Sequence, residues 1–304
     1  MFKSHKWIDG IDGSTSVRRA AVRSLKDRLR GVESYLAAAA RHRDDDGELI
    51  HQLRVATRRS GAALKLFSPL IRRRDSKWLR KTLRRIRQTA GQARDLDVLL
   101  QNHPQLEVIR EHVRRCRDEA QTALSRLEQE LQHGRRLHRR IKRLCRAVRR
   151  DRSRAARQSF ADWAPDRLRK VVQRFFAAVP PDLHDLSALH RLRVRGKELR
   201  YALELLAPAF PERLRRETYP RVESVQERLG RIHDCTVAAQ CCEDWAAAAA
   251  DPLQAEQLRQ LAQAQQRSIE DLLREFENWW STEGRPGLQR EFEALTLAEQ
   301  PAAS

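Results

Sequence analysis

The chain has 304 residues and carries 61 Lys and Arg against 41 Asp and Glu, a formal charge of +20 at pH 7. That length suffices for one large or two ordinary domains with a sizeable core, and a charge this high strains a compact state unless a polyanion offsets it. No stretch approaches 18 uncharged apolar residues, which excludes a membrane-spanning helix, and residues 1–16 lack the apolar run of a signal peptide, so a cytoplasmic protein is expected.

Nearly all the basic residues are Arg, whose planar, forked donor set suits phosphate oxygens. The five cysteines, Cys116, Cys145, Cys235, Cys241 and Cys242, are odd in number and match no zinc-module spacing, so free thiols in a reducing compartment are expected.

Ala, Leu, Arg, Glu and Gln dominate while aromatics make up 6%, a helix-forming composition. In chain order, residues 1–16 read as a flexible tail. From Val17 to about Arg43, Ala21, Leu25, Leu29, Val32 and Leu36 recur at helical spacing. Arg41 to Gly47 is a charged break in which Asp46 is placed to cap the next helix, which carries His51 and ends near Pro69. A third helix is expected from about Ser76 to Leu100, with Leu79, Leu83, Ile86, Ala90 and Ala93 on its buried stripe, and His103-Pro104 ends it. A helical zone from Leu106 to about Phe160 contains the stripe Leu137, Ile141, Leu144 and Val148, with Arg on the other faces. Further helices are expected over Pro165 to Val179, His190 to Leu206, Tyr219 to Ala250 and Pro252 to about Thr282. Residues 283–304 read as a C-terminal tail. Residues 110–174 hold 21 basic and 8 acidic residues, residues 243–304 hold 5 and 12, so the C-terminal segment is not where an anion-binding surface is expected.

The chain repeats itself at a fixed offset. His51-Gln52-Leu53-Arg54-Val55 returns as His190-Arg191-Leu192-Arg193-Val194, 139 positions on, and the same offset maps Arg58 onto Lys197, Pro69 onto Pro208, Gly91 onto Gly230, Asp95 onto Asp234, Val98 onto Val237 and Gln101 onto Gln240. A register held over some fifty residues without a gap indicates duplication, and what both copies keep is a candidate shared site.

On a helix turning about 100° per residue, positions i, i+3 and i+7 share a face. His51, Arg54 and Arg58 occupy them in the first copy, and His190, Arg193 and Lys197 in the second. Each copy thus offers three cationic or hydrogen-bonding groups about one turn apart, a pitch comparable to the phosphate spacing of an extended polyanion, with Arg59 and Arg200 to the sides. Arg84, Arg87, Gly91 and Arg94 fall on one face of the third helix; the second copy has Glu223, Gln226, Gly230 and His233 there. Glycines at equivalent helical positions suggest close helix approach. Asp95 and Asp234, read as buried, are expected to orient a neighbouring cation rather than to act catalytically.

At these residues the sequence resembles the conserved histidine α-helical domain (CHAD) family. The resemblance rests on HQLRVATRRSGAALKLF (51–67), GQARDLDVLL (91–100), HRLRVRGKELRYALELL (190–206) and LGRIHDC (229–235), and spans roughly residues 17–282. It implies an all-α fold of two pseudo-symmetric four-helix bundles from the internal duplication, with halves of about 17–160 and 161–282. It also implies a basic central groove that binds inorganic polyphosphate, and a partnership extending to polyphosphate granules. The family's motif residues fall on His51, Arg54, Arg58 and Arg59, and on His190, Arg193, Lys197 and Arg200, with Arg94 and His233 in the later motifs. The chain departs from the family pattern at Gly61, the counterpart of Arg200, where an Arg is common.

The expectation is therefore polyphosphate binding without catalysis, by Arg and Lys charge and by imidazole hydrogen bonds, with no metal, cofactor or membrane. A nucleic-acid binder is the first rival, but aromatics are sparse and no helix-turn-helix or zinc signature stands out, so only non-specific binding is expected. A metal-dependent phosphohydrolase would need more carboxylates than the one Asp per copy. His51 and His190 as metal ligands lack a second His or carboxylate at i+3 or i+4.

Overall fold

A computed structural model describes residues 6–41, 47–91 and 107–297, and the regular elements among them are helices, joined by one isolated bridge between Ser16 and Ser159. In chain order they are α1 (Val17–Arg41), α2 (Glu48–Leu66), α3 (Arg73–Thr89), α4 (Glu107–Gln132), α5 (Arg136–Arg149), α6 (Phe160–Phe176), α7 (Leu186–Leu206), α8 (Tyr219–Ala248), α9 (Pro252–Trp279) and α10 (Arg285–Leu297). The chain divides into two compact units, Met1–Ala164 and Pro165–Ser304. No described helix is long and apolar enough to cross a membrane.

In the first unit α1 packs against α2, α4 and α5, and α2 packs against α3. The periodic stripe of α1 is the reason: Ala21, Leu25, Leu29, Val32 and Leu36 are all buried, as expected of an amphipathic helix facing a core. The α5 stripe Leu137, Ile141, Leu144 and Val148 is buried likewise. Between α4 and α5 the chain turns through left-handed backbone at Gly134 and Arg135, with φ of 57° and 51°, so the Arg-rich zone is divided rather than continuous. Phe67, Phe160 and Trp163 stack at centroid distances of 5.5 to 6.5 Å.

Residues 6–16, expected as a flexible tail, are tied to this unit instead. Ile8 is buried, and the backbone N–H groups of Phe160 and Ala161 donate to the carbonyls of Thr15 and Gly13. The guanidinium of Arg28, fully buried on the apolar face of α1, donates to the carbonyl of Lys6 at 2.7 Å. A buried charge needs such acceptors, and the N-terminal segment supplies one.

In the second unit α8 packs against α7 and α9. An aromatic group joins Phe175, Phe276 and Trp280, and Phe176 meets Phe292 of α10 edge-on at 6.5 Å. That contact corrects the expected C-terminal tail: residues 285–297 are helical, with Leu288, Phe292 and Leu295 buried. Glu204 of α7 is fully buried and accepts a hydrogen bond from the Tyr219 hydroxyl at 3.0 Å. α6 begins at Phe160, five residues before the expected Pro165. Cys145, Cys235 and Cys242 are free thiols, and burial pushes Cys242 up to about 11.

Candidate anion-binding sites

In the first unit the cationic side chains converge from α2 and α3. Arg58, Arg84 and Arg87 are close enough that Arg87 is pushed below the usual guanidinium pKa, by burial first and then by the charges of Arg58 and Arg84. Like charges crowded in this way favour an anion lodged among them. The Arg54 guanidinium reaches across to the end of α3, where a Cβ on Gly91 would lie 3.0 Å from its Nη1. Among the described residues, what lies closest to Gly91 is thus an arginine side chain. His51 and Arg59 are half-buried on α2, with Arg59 about 100° around the helix from Arg58. Arg94, Asp95 and the proposed cap Asp46 lie outside the described residues. Gly61 is half-buried with open space around it.

The second unit builds a different site from the equivalent positions. His190 of α7 and His233 of α8 face each other with ring centroids 5.0 Å apart. Together with Arg193 they line a pocket of about 320 Å³ between the two helices. Asp234 Oδ1 lies 3.8 Å from Arg193 Nη2, with the Arg side chain 16% exposed and the Asp 49%. Asp234 meets Arg193 from a half-exposed position rather than the buried one expected. His190 is pushed below the ordinary imidazole value by burial, then by Arg193 and by Lys197 one turn further on.

Arg200 is not brought to this pocket. Its Nη2 donates to the Tyr201 hydroxyl at 3.2 Å and its guanidinium lies 5.0 Å over the Tyr201 ring. Burial works against its charge, but Tyr201, Tyr219 and Glu204 more than offset that and hold its pKa above the usual guanidinium value. The helix approach expected at the repeated glycines is not seen at Gly230, where a Cβ would meet nothing within 4 Å among the described residues. The tight place is Gly196, where a Cβ would run into the buried Gln226 amide.

The pocket further contains Ser187, Thr236, Val237 and Gln240. Val237 and Gln240 are in register with Val98 and Gln101, a signal that marked them as repeated without giving them a role. Ser187 and Thr236 correspond to Glu48 and Asp97, so the repeat carried no hint of them. Among the described residues no group of three or more His, Cys, Asp and Glu is arranged to hold a metal ion. The first site offers Arg forks, and the second an Arg fork with two imidazoles, donors suited to anionic oxygen.

Two solved structures resemble the whole chain. The crystal structure of the CHAD domain from the plant Ricinus communis is 24% identical, covers 97% of this chain and 96% of that one, and has a TM-score of 0.61. PptA from Streptomyces chartreusis is 18% identical, covers 92% and 100%, and has a TM-score of 0.57. At these identities the likeness concerns the fold alone. No curated protein matches the sequence. The CHAD domain model matches residues 23–243, well over half the sequence, and the chain belongs to the CHAD domain family.

Proposed function

We propose that this protein binds inorganic polyphosphate without catalysis, through two cationic sites that arose by internal duplication of halves spanning about 17–160 and 161–282. The observation that carries the reading is the crowding of Arg58, Arg84 and Arg87, with Arg54 reaching in beside them. A strip of forked cations on adjacent helices suits a linear chain of phosphates, and the net charge of +20 draws such a chain in from a distance. The second site adds His190, Arg193 and His233, with Lys197 a turn away. Family membership supports the same substrate. The repeated positions supply one Asp each, which fits binding better than metal-assisted phosphoryl transfer. The protein is taken to act in the cytoplasm, where polyphosphate and its granules are the partners and nucleic acid competes only through charge.

Calorimetric titration with long-chain polyphosphate at two salt concentrations, with duplex DNA as competitor, tests the reading. Tight binding that weakens with salt and that DNA fails to displace is the expected result. Equal displacement by DNA, or no binding, would leave a basic helical scaffold and reinstate the nucleic-acid reading. Replacing His51, Arg54, His190 and Arg193 with Ala should abolish polyphosphate binding.

A further inference from the structure

The pocket between α7 and α8 has a surface that an inorganic polyanion does not use. Its deep residues Leu189, Leu229 and Ile232 are almost fully buried, and half-buried Leu186 and Val237 continue the apolar surface outward. Phosphate chains present anionic oxygen alone, and such oxygen gains nothing from apolar contact.

Comparison within the chain sharpens this. In the first copy the counterparts of Leu186, Leu229 and Ile232 are Gly47, Ala90 and Ala93, while those of Glu223, Gln226 and His233 are Arg84, Arg87 and Arg94. Between the copies, permanent cations give way to neutral, acidic or titrating groups as apolar side chains grow. One copy is built for charge density. The other has the character of a small-molecule pocket, mostly apolar with a few convergent polar groups, and its volume of about 320 Å³ sits at the lower end of the range for such sites.

We propose that this pocket binds a phosphate monoester whose organic part is apolar or aromatic. The phosphate sits among His190, His233 and Arg193, and the organic part lies against Leu186 and Val237. This assignment rests on the reading of those three polar side chains as phosphate contacts. Asp234 does not block it, because at 3.8 Å from Arg193 and 49% exposed it forms a weak pair that an incoming dianion can outcompete.

The test is calorimetry on the full chain with phenyl phosphate, glycerol 3-phosphate and inorganic phosphate as probes, and tripolyphosphate as reference. Phenyl phosphate should bind about tenfold more tightly than either of the other two monophosphates, the scale of a partly buried ring. The double variant Leu186→Ser/Val237→Ser should erase most of that advantage and leave tripolyphosphate affinity unchanged, and an unchanged thermal unfolding transition reports that the variant is folded. Should the double variant fail to fold, Val237→Ser alone removes half of the outer apolar surface and should still narrow the gap. Equal or undetectable binding of phenyl phosphate by the native chain overturns the proposal, as does an advantage that survives the Ser substitutions. If polyphosphates fail to bind while phenyl phosphate keeps its advantage, the polyphosphate reading falls and the pocket assignment stands.

Discussion

Gly196 and Gly230 sit on facing helices of one unit, yet alanine at the two should act in opposite directions. At Gly196 a new Cβ collides with the buried Gln226 amide, an overpacking expected to lower stability by about 1–3 kcal/mol. At Gly230 the space is open, so the gain in helix propensity should raise stability by about 1 kcal/mol. Urea unfolding of Gly196→Ala and Gly230→Ala checks this through midpoints that move apart. The sequence marked Gly230 by its repetition, but a repeated residue type does not report the distance to a neighbour. His190 carries the second prediction at this scale. Its pKa is depressed by burial, Arg193 and Lys197. A base depressed in this way contributes stability in full above its unperturbed value, and that contribution is lost as pH falls through the depressed one. A bound anion favours the protonated ring and pulls the other way. Below about pH 6.5 the unliganded protein should therefore lose stability while its affinity for polyphosphate rises. His190→Ala/His233→Ala should flatten the affinity profile. A native profile already flat between neutral and mildly acidic pH would remove the imidazoles from the site.

The site helix of the second unit begins on a capped turn. Asp185 caps α7, its carboxylate accepting from the backbone N–H groups of Ser187 and Ala188 at 2.9 and 3.0 Å and from the Ser187 hydroxyl at 2.7 Å. α2 starts from Gly47 at φ 69°. The Asp185 hydrogen bonds fix the turn that leads to His190. Asp185→Ala should lower thermal stability and weaken anion binding in the second unit, while Asp185→Asn, still an acceptor, should retain most of both. The bonds from Ala188 and Ser187 hold the Asp185 carboxyl below the usual Asp value. Its contribution is therefore present above that value and lost as pH falls through the depressed one, so the Ala variant should differ from native least in strong acid. Thermal melts across that range measure it. The elements legible in sequence were those whose apolar residues form long, regular stripes, such as Leu25, Leu29, Val32 and Leu36. α10 was missed although Leu288, Phe292 and Leu295 follow helical spacing, because Gly284, Pro286 and Gly287 read as breakers. In the structure a π-helical turn over Trp280–Gly284 carries α9 directly into α10, and Pro286, the second residue of α10, follows that widened turn instead of ending the helix. Arg28 was invisible for a related reason: a charge on an apolar stripe reads as an exception until the carbonyl that satisfies it is seen.

At the scale of the whole molecule the question is which of so many arginines touch ligand and which only shape the field. Arg139, Arg146 and Arg149 of α5 are exposed and belong to neither repeated strip. Arg54, Arg58, Arg84 and Arg87 gather where α2 and α3 meet. A charge that acts at long range raises the rate of encounter with a polyanion, and salt screens that effect. A charge in contact with phosphate mainly sets the rate of escape and the number of counterions released. Replacing Arg139, Arg146 and Arg149 with Gln should therefore slow association with polyphosphate at low salt and leave dissociation nearly unchanged. Replacing the four arginines of the first unit with Gln should speed dissociation and reduce the slope of log affinity against log salt by about 3, at roughly 0.7 per lost contact on a single-stranded polyanion. Stopped-flow association and dissociation at several salt concentrations separate the two groups. If the α5 variant instead raises the dissociation rate and lowers the salt slope, the exposed arginines of α5 are contacts too, and the anion-binding surface proposed for the first unit extends beyond the arginines of α2 and α3.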